Sequence, residues 1–156
     1  MATERDSGQL QDEMLKLLQS LGSRWMESDP DGMMQFWNED GRYEFPYAPV
    51  EYGFPRVVQG KEAIHQYLAN IALKQITNIQ MGDWVARATT DPNIWYVEYH
   101  ATGTAAATGL HYDQTYIARI EFKDGKFQVY REFWDPYHVL VTFGLLKASP
   151  APLQST

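Results

Sequence analysis

The hydrophobic period of this chain changes from helical to strand-like about halfway along, and this change limits the folds open to it. Leu10, Met14, Leu18 and Leu21 recur at intervals of three or four residues, which is typical of one face of an amphipathic helix. Residues 76–134 instead carry long runs of β-branched and aromatic residues between turn sequences. Helices followed by a run of antiparallel strands predict the α+β fold class.

Three helices are predicted in the first half of the chain, each with a recognisable start. Asp6 is a suitable N-cap for the first helix. Asp29-Pro30 predicts the start of a short second helix, because Asp caps helices and Pro is tolerated at the first helical position. Residues 38–41 are expected to end this helix, so that the first strand starts at Arg42. The third helix is predicted to begin at Gly60.

Two predicted strands, residues 94–102 and 111–122, are apolar or aromatic on both faces. Trp95 and Val97 alternate with Tyr96, and neither set resembles a solvent-facing row. A sheet packed on helices at one face is normally polar on the other. We therefore expect a second subunit to cover the other face, in a symmetric homodimer.

Composition excludes several classes of function. The chain has no cysteine and a formal net charge of −7, without a cluster of Lys and Arg. Disulfides and Cys-ligated metals are excluded, and nucleic acid and anionic membranes are poor partners. The His residues show no ligand spacing, and no Gly-rich nucleotide loop is present, so we expect neither a metal nor a cofactor. Without a signal peptide or a membrane-length apolar run, a cytoplasmic location is expected.

The length of 156 residues predicts one domain, residues 1–148, followed by a flexible tail, residues 149–156. Aromatic residues make up 14% of the chain and include ten Tyr. A large aromatic core accounts for part of this content. The rest favours tyrosines that line a cavity, because Tyr combines an apolar ring with a polar tip. Residues 139–146 form a further apolar stretch that either caps this pocket or adds to an interface.

Several segments resemble SnoaL-like proteins of the NTF2-like superfamily in their order and spacing. Residues 36–49 (FWNEDGRYEFPYAP) resemble the junction between helix and first strand in that family. Residues 60–64 (GKEAI) resemble the start of its third helix, and residues 123–136, with KDGKF and REFWDP, resemble its terminal hairpin. Residues 91–98 and the REF sequence at residues 131–133 look most like the phenazine-biosynthesis A/B branch.

The resemblance implies a cone-shaped fold, in which a strongly curved, mostly antiparallel sheet wraps around three helices and encloses a deep pocket for a small-molecule substrate. Members of the family are commonly dimers. The fold hosts polyketide cyclases, ketosteroid isomerases, epoxide hydrolases and dehydratases, and also a non-enzymatic nuclear transport factor. Function must therefore be argued from the pocket and not from the fold.

Glu132 is the first candidate for chemistry. The resemblance implies an acid/base role, because the matching Glu of the phenazine branch is an acid/base residue. Tyr130 and Trp134 are its neighbours on the same face of the predicted strand. A carboxyl among aromatic rings loses solvation, which raises its pKa and lets it act as an acid near neutral pH. The alternative is a structural ion pair with an Arg such as Arg119.

Tyr112, Tyr116 and Arg42 are the candidates for stabilising negative charge. The two tyrosines are four residues apart on one predicted strand and share a face, although they could also be ordinary sheet aromatics. Arg42 stands where SnoaL-like relatives usually carry a small or apolar residue, and its permanent charge could clamp an enolate. A surface Arg at a strand end is the alternative. Together with Glu132, these residues resemble the pocket of a fungal semipinacolase of indole-alkaloid biosynthesis.

Glu98 and His100 are reserve candidates whose place depends on strand register. An even register would put His100 opposite Tyr112 and Glu98 opposite Gln114, all on one wall. An odd register would bring His100 opposite His111 instead. A slip of one residue turns every side chain over, so the sequence leaves both registers open.

Strand register also decides whether Glu132 shares a face of the sheet with Tyr116. Asp124-Gly125 predicts a two-residue hairpin turn. With that turn and a regular ladder, Tyr116 and Glu132 would fall on opposite faces. A three-residue turn or a β-bulge would bring them together, and bulges are frequent near active sites.

A further set of residues is expected to bind substrate: Trp25, Tyr67, Glu98, His100, Gln114 and Trp134. His65 and His138 are interpreted as structural. Tyr67 stands near the position of the catalytic His of phenazine-type relatives, which counts against phenazine-type condensation chemistry.

These residues predict a cofactor-independent isomerase or cyclase of a polycyclic specialised metabolite, acting by general acid–base catalysis. A semipinacol-type rearrangement of an indole alkaloid is one form of this prediction. A dehydratase or epoxide hydrolase is the enzymatic alternative, and it would need a positioned water or a second carboxylate such as Glu98. The other alternative is a non-enzymatic ligand- or protein-binding scaffold, which should present an exposed apolar patch.

Overall fold

A computed structural model describes residues 6–148, so the predicted tail at residues 149–156 lies outside the described part. Its helices are α1 (Ser7–Met26), α2 (Pro30–Met33), α3 (Lys61–Tyr67), α4 (Leu73–Gln75) and α5 (Pro136–Thr142). Its strands are β1 (Trp37–Glu44), β2 (Val57–Gln59), β3 (Ile76–Ala88), β4 (Ile94–Ala105), β5 (His111–Lys123) and β6 (Lys126–Phe133). A π-helical turn, Leu68–Ala72, joins α3 to α4.

The helix starts follow the local sequence signals. Asp6 is the N-cap of α1 and its side chain accepts a hydrogen bond from the Gly8 N–H. Asp29 caps α2 by accepting the Gly32 N–H at 2.8 Å, and Pro30 occupies the first turn, where no N–H is required. The predicted starts of these two helices are confirmed.

The six strands form one sheet in the order β2-β1-β6-β5-β4-β3. Neighbouring strands pair antiparallel except β1 and β6, which pair parallel. Helices precede most of the strands, so the predicted α+β class with a mostly antiparallel sheet is confirmed.

Irregularities in β3 bend the sheet. The pairing of β3 with β4 shifts twice, between Thr77 and Gln80 and between Gly82 and Val85. Asn78 and Asp83 lie within these shifts and adopt positive φ. Bulges of this kind increase local twist and bend a strand, so they help to curl the sheet around the helices.

The core lies between the helices and the concave face of this sheet. Leu18 of α1 and Ile64 of α3 are fully buried, as are Ile120 of β5 and Phe127 of β6. Each such side chain contributes about 1.5–3 kcal/mol through removal of its apolar surface from water. The helices therefore hold the sheet in its curved form.

The first strand begins earlier than the sequence predicts. The sequence predicts that residues 38–41 end the second helix, but β1 already starts at Trp37. The Asn38 side chain donates to the Lys123 carbonyl at 2.9 Å and to Gln128 Oε1 at 3.1 Å. These partners are about 85–90 residues away, so the strand is stabilised by tertiary hydrogen bonds that no local pattern reveals.

The convex face of the sheet is partly apolar and partly ion-paired. Tyr96 of β4 and Ile117 of β5 are 45% and 44% exposed there. Glu44 is buried and bonds Arg131 Nε at 2.7 Å and Arg42 Nη2 at 3.0 Å. This is the face on which we expect a second subunit.

Within residues 6–148, no helix is both long and apolar enough to span a bilayer.

Candidate active site

A cavity lies between the concave face of the sheet and helices α1, α3 and α5, with a volume of about 80 Å³. We call it the chamber. Ten aromatic side chains line it: Trp25, Tyr43, Phe45, Phe54, Tyr67, Tyr99, Tyr112, Tyr116, Trp134 and Phe143. Glu132 is the only charged residue among the described residues of its wall. Val139 and Phe143 belong to the apolar stretch at residues 139–146, which therefore closes part of the chamber.

Glu132 is held in the chamber wall by two phenols. Tyr43 Oη donates to Glu132 Oε2 at 3.2 Å, and Tyr99 Oη donates to the same oxygen through a short hydrogen bond. Glu132 Oε1 has no hydrogen-bond partner among the described residues, and it is accessible from the chamber. One oxygen of the carboxyl is thus anchored, and the other is open to a bound molecule.

Burial raises the pKa of the Glu132 carboxyl from 4.5 to about 7. The hydrogen bonds from Tyr99 and Tyr43 lower the pKa, but less than burial raises it. Near neutral pH both protonation states are populated, which suits a group that takes up and returns a proton. Because Oε2 already accepts two O–H donors, the proton of the acid form sits on Oε1, on the chamber side.

The phenols around Glu132 remain protonated. Burial raises the pKa of Tyr43, Tyr99 and Tyr130 well above the ordinary tyrosine value, and the nearby Glu132 charge raises it further. Tyr130 Oη donates to Tyr99 Oη at 3.0 Å. A chain of hydrogen bonds therefore runs from Tyr130 through Tyr99 to the carboxylate, and each bond in such a chain polarises the next.

Tyr112 and Tyr116 form a second polar point on the chamber wall. Their hydroxyls share a short hydrogen bond, and Tyr116 stacks on Tyr99 with ring centroids 4.9 Å apart. Burial raises the pKa of both phenols. When one hydroxyl donates to the other, the O–H of the acceptor remains available to a ligand oxygen.

A β-bulge brings Tyr116 and Glu132 to the same face. The hairpin turn is two residues long, with Asp124 and Gly125 at positive φ, as the sequence predicts. Beyond the turn, the pairing of β5 with β6 shifts by one residue at Gln128. Of the two open possibilities, the bulge is the one that occurs.

Three of the residues predicted to bind substrate line the chamber. Trp25 projects from α1, Tyr67 from α3 and Trp134 from the end of β6. Phe54 packs on Trp134, with ring centroids 6.0 Å apart. These rings form flat apolar walls around the carboxyl of Glu132.

Gln114 is buried on the same face as Tyr112, but its amide is engaged with backbone. Its Nε2 donates to the Asp135 carbonyl, and its Oε1 accepts the Asp135 N–H, both at 3.1 Å. The hydrogen bond of Gln114 also lowers the pKa of Tyr112, against the larger effect of burial. Gln114 therefore fixes the start of α5 and supports Tyr112. The sequence predicts that it binds substrate, but it is not among the residues that line the chamber.

Arg42, Glu98 and His100 lie on the convex side of the sheet, away from the chamber. Arg42 alternates on β1 with Tyr43, which lines the chamber, so Arg42 faces the convex side, and its guanidinium pairs with Glu44 there. Glu98 is exposed, and His100 Nε2 lies 2.6 Å from Asp113 Oδ1 at the surface. The placement predicted for these three residues is corrected accordingly, and none is part of this site.

The register of β4 and β5 explains this outcome. His100 pairs with Thr115, whereas Tyr99 pairs with Tyr116 and Gly103 with Tyr112. Neither partner considered from the sequence, Tyr112 or His111, faces His100. Because faces alternate along a strand, the residues that share the chamber wall on β4 are the odd-numbered ones.

Tyr43 and Tyr99 are partners of the carboxyl that the sequence does not identify. Tyr130 is a predicted same-face neighbour of Glu132, and the sequence assigns it no role. Tyr43 and Tyr130 stand side by side in the parallel pairing of β1 with β6, which the local sequence does not predict. Nothing in the local sequence identifies Tyr99, because its face depends on the register.

His65 and His138 make surface contacts. His65 Nε2 lies 2.7 Å from Asp31 Oδ1, and His138 Nε2 accepts the Asp113 N–H at 3.1 Å. In the part of the chain that the structure describes, no group of three His, Asp or Glu side chains is arranged to hold a metal ion.

Fold and site together define an NTF2-like domain with a carboxyl set in an aromatic pocket. The chain belongs to the SnoaL-like domain family, which matches residues 19–130. It is similar to the phenazine-biosynthesis A/B branch, as the sequence indicates: it is 29% identical to an uncharacterized PhzA/B-like protein of Pseudomonas aeruginosa over 126 residues, 81% of this chain and 86% of that protein.

One curated sequence and one solved structure, both from Bacillus subtilis, are also similar over most of their length. The uncharacterized protein YesE of Bacillus subtilis is 35% identical over 119 residues, 76% of this chain and 79% of that protein. The crystal structure of a proposed isomerase from Bacillus subtilis superposes with a TM-score of 0.78 at 31% identity, covering 91% of this chain and 98% of that one.

Proposed function

We propose that this protein is a cofactor-independent isomerase or cyclase that acts on a polycyclic, partly aromatic small molecule by general acid–base catalysis. The observation that carries the proposal is the Glu132 carboxyl. It is buried, its pKa is about 7, and its free oxygen opens into an aromatic chamber. Perturbed carboxyls of this kind are concentrated at functional sites.

Family membership supports an isomerase- or cyclase-type activity. The similar crystal structure from Bacillus subtilis is described as that of a proposed isomerase. A solved structure from Xanthomonas campestris, described as a proposed polyketide cyclase, shares the fold with a TM-score of 0.69. The identity of the latter is 18%, so that likeness concerns the fold alone.

The proton transfer uses the free oxygen of Glu132. In the base form, Oε1 removes a proton from a carbon next to a substrate carbonyl, and the C–H electron pair moves into the enolate. In the acid form, the same oxygen returns the proton to another carbon of the conjugated system. The net result is an isomer of the substrate, with Glu132 regenerated and no other reactant consumed.

Tyr112 and Tyr116 stabilise the enolate oxygen. Their hydrogen-bonded pair retains one free O–H, and phenols with a raised pKa stay protonated while they donate. A donor that is already in place for the developing negative charge avoids the cost of reorganising solvent. Trp25, Tyr67 and Trp134 hold the flat rings and exclude water.

The enzymatic alternative that uses a second carboxylate is less well supported. A dehydratase or epoxide hydrolase of that type needs a second acid beside the water, and Glu98 is exposed on the convex face. The semipinacol-type form, as the sequence suggested it, relies on Arg42 in the pocket, and Arg42 pairs with Glu44 on the same convex face. The general acid–base proposal needs neither residue.

A non-enzymatic scaffold remains the competing class of function. The exposed Tyr96 and Ile117 on the convex face would then be a protein-binding patch. Such a scaffold has no use for a buried carboxyl anchored by two phenols, since burying that group destabilises the fold above neutral pH.

The acid–base proposal is tested by measuring how fast the protein exchanges hydrogen for deuterium at a carbon next to a carbonyl. The probe is 2-tetralone, a flat, partly aromatic ketone, in D₂O, with loss of its C1–H signal followed by ¹H NMR. The wild-type protein should accelerate exchange over buffer, and Glu132→Gln should remove about 10²- to 10⁴-fold of that acceleration. Tyr112→Phe combined with Tyr116→Phe, which removes both hydroxyls of the pair, should remove about 10²-fold, the usual effect of one oxyanion donor.

Glu98→Gln is the matched control, since it makes the same change on the convex face. It should retain full activity. If saturating 2-tetralone binds the wild-type protein but exchanges no faster than in buffer, the acid–base proposal fails and the scaffold function is favoured.

A further inference from the structure

A wide groove opens directly outside the chamber. It has a volume of about 530 Å³, and its walls include Tyr52, Pro55, Ile71, Ala107 and Leu145. We call it the outer groove. Phe54, Tyr67, Gln75 and Phe143 line both the groove and the chamber, so the two spaces adjoin across these side chains. The chamber alone, at about 80 Å³, is smaller than the usual small-molecule site of about 300–1,000 Å³.

Lys74 is the only charged residue among the described residues that line the outer groove. The chain has 20 acidic residues and a net charge of −7, yet none of the acids within residues 6–148 lines the groove. Lys74 is exposed and makes no ion pair or hydrogen bond within the described part of the chain. Lys61, by contrast, pairs with Glu39 at 3.2 Å.

The side-chain amide of Gln75 is a second polar group without a partner among the described residues, and it lies next to the Lys74 ammonium. Gln75 lies at the junction between chamber and groove. Its backbone carbonyl is used, because it accepts the Ala106 N–H at 2.9 Å. An ammonium and an amide N–H₂ on one rim are both donors suited to an anionic oxygen.

We infer that the outer groove binds the anionic arm of the substrate, so that the substrate class is a flat apolar ring system that carries a carboxylate. The ring enters the chamber beside Glu132, and the arm extends past Gln75 to Lys74. This inference rests on the proposed function in taking the chamber as the place of reaction. A neutral substrate of the same shape leaves Lys74 without a partner.

The probes for this inference are 3-(2-naphthyl)propanoate and its neutral amide, 3-(2-naphthyl)propanamide. Their dissociation constants are measured by quenching of tryptophan fluorescence at low ionic strength. The acid should bind the wild-type protein about three- to fivefold more tightly than the amide, which is the upper part of the usual range for one exposed ion pair. Added salt should reduce this preference.

Lys74→Gln should abolish the preference for the acid, and Lys74→Glu should reverse it. Lys126→Gln, at the exposed β5–β6 turn, is the matched control and should keep it. The inference is overturned if the acid and the amide bind the wild-type protein equally, if neither binds, or if Lys74→Gln keeps the preference. A lower Tm of Lys74→Gln with an unchanged preference would show that Lys74 only stabilises the end of the helix.

Glu132→Gln separates this inference from the proposed function. That variant should keep the preference for the acid, because its groove is unchanged, while it loses the exchange activity towards 2-tetralone. A wild-type protein that prefers the acid through Lys74 but catalyses no exchange would support the groove and contradict the proposed reaction.

Discussion

Tyr116 of β5 and Glu132 of β6 face the same chamber because β6 carries one extra residue, Gln128, between the hairpin turn and the carboxyl. Next to the turn, Lys123 pairs with Lys126, but beyond Gln128 the pairing is offset by one residue, with Ala118 opposite Glu132. In a regular ladder the carboxyl would point to the convex face. The candidate site therefore depends on a single bulge.

Loss of the Gln128 side chain should destabilise the protein. Gln128 Oε1 accepts from Asn38 Nδ2 at 3.1 Å, and its Nε2 donates to Asp40 Oδ1 at 3.2 Å. Gln128→Ala should lower the free energy of unfolding by about 1–2 kcal/mol, the net value of two such hydrogen bonds. Urea denaturation measures this. Gln80→Ala, an exposed change on β3, is the control, and an equal effect of both would contradict this role of Gln128.

The stability of the fold should fall as the pH rises from about 4.5 to about 7, through the titration of Glu132. The folded carboxyl holds its proton up to a pKa of about 7, whereas the unfolded chain loses it near 4.5. Within this window the unfolded state binds fewer protons, so increasing pH favours unfolding, by about 3 kcal/mol in total for this group.

Comparison with Glu132→Gln isolates this contribution, since all other groups titrate alike in both proteins. The variant should gain about 3 kcal/mol relative to the wild type between pH 4.5 and pH 8. Urea denaturation at several pH values checks this. A difference between the two proteins that stays constant with pH would mean that Glu132 has an ordinary pKa in the fold.

Tyr99→Phe should raise the pKa of Glu132 above about 7. The Tyr99 phenol donates to the ionised carboxyl and so lowers its pKa, and the substitution removes the donor while burial persists. Tyr43→Phe should act in the same direction. Tyr130→Phe should raise the pKa less, since Tyr130 acts through Tyr99.

Carboxyl ¹³C NMR titration measures these values, with Glu132→Gln to assign the signal. Tyr96→Phe on the convex face is the matched control, and it should leave the pKa of Glu132 unchanged. If Glu132 has the same pKa in Tyr99→Phe as in the wild type, Tyr99 does not influence the ionisation of this carboxyl.

The protein is predicted to form a homodimer through the convex face of the sheet. Ile117 is 44% exposed at the middle of this face. Ile117→Asp should convert the dimer to a monomer, because a charge there loses solvation at the interface without a partner. Light scattering coupled to size-exclusion chromatography measures the mass. Leu110→Asp, at a similarly exposed residue next to the β4–β5 turn, should stay dimeric; a monomeric wild-type protein would refute the prediction.

Features with short-range causes were predictable from the sequence. Asp6 and Asp29 start helices because their side chains reach backbone N–H groups two or three residues away. Asp124-Gly125 forms the two-residue turn because both residues tolerate positive φ. The change of hydrophobic period gave the α+β class, and the aromatic surroundings of Glu132 in the sequence indicated a carboxyl with a raised pKa.

The tertiary structure alone decided which side chains meet. Tyr99 faces Glu132, and His100 does not, because β4 and β5 pair in a register that the local sequence does not determine. Arg42 turns outward because Tyr43 next to it turns inward beside Tyr130. Such choices are set by hydrogen bonds and packing between residues far apart in the chain. A local pattern fixes which residues alternate, whereas only the assembled sheet fixes which of the alternating sets faces the chamber.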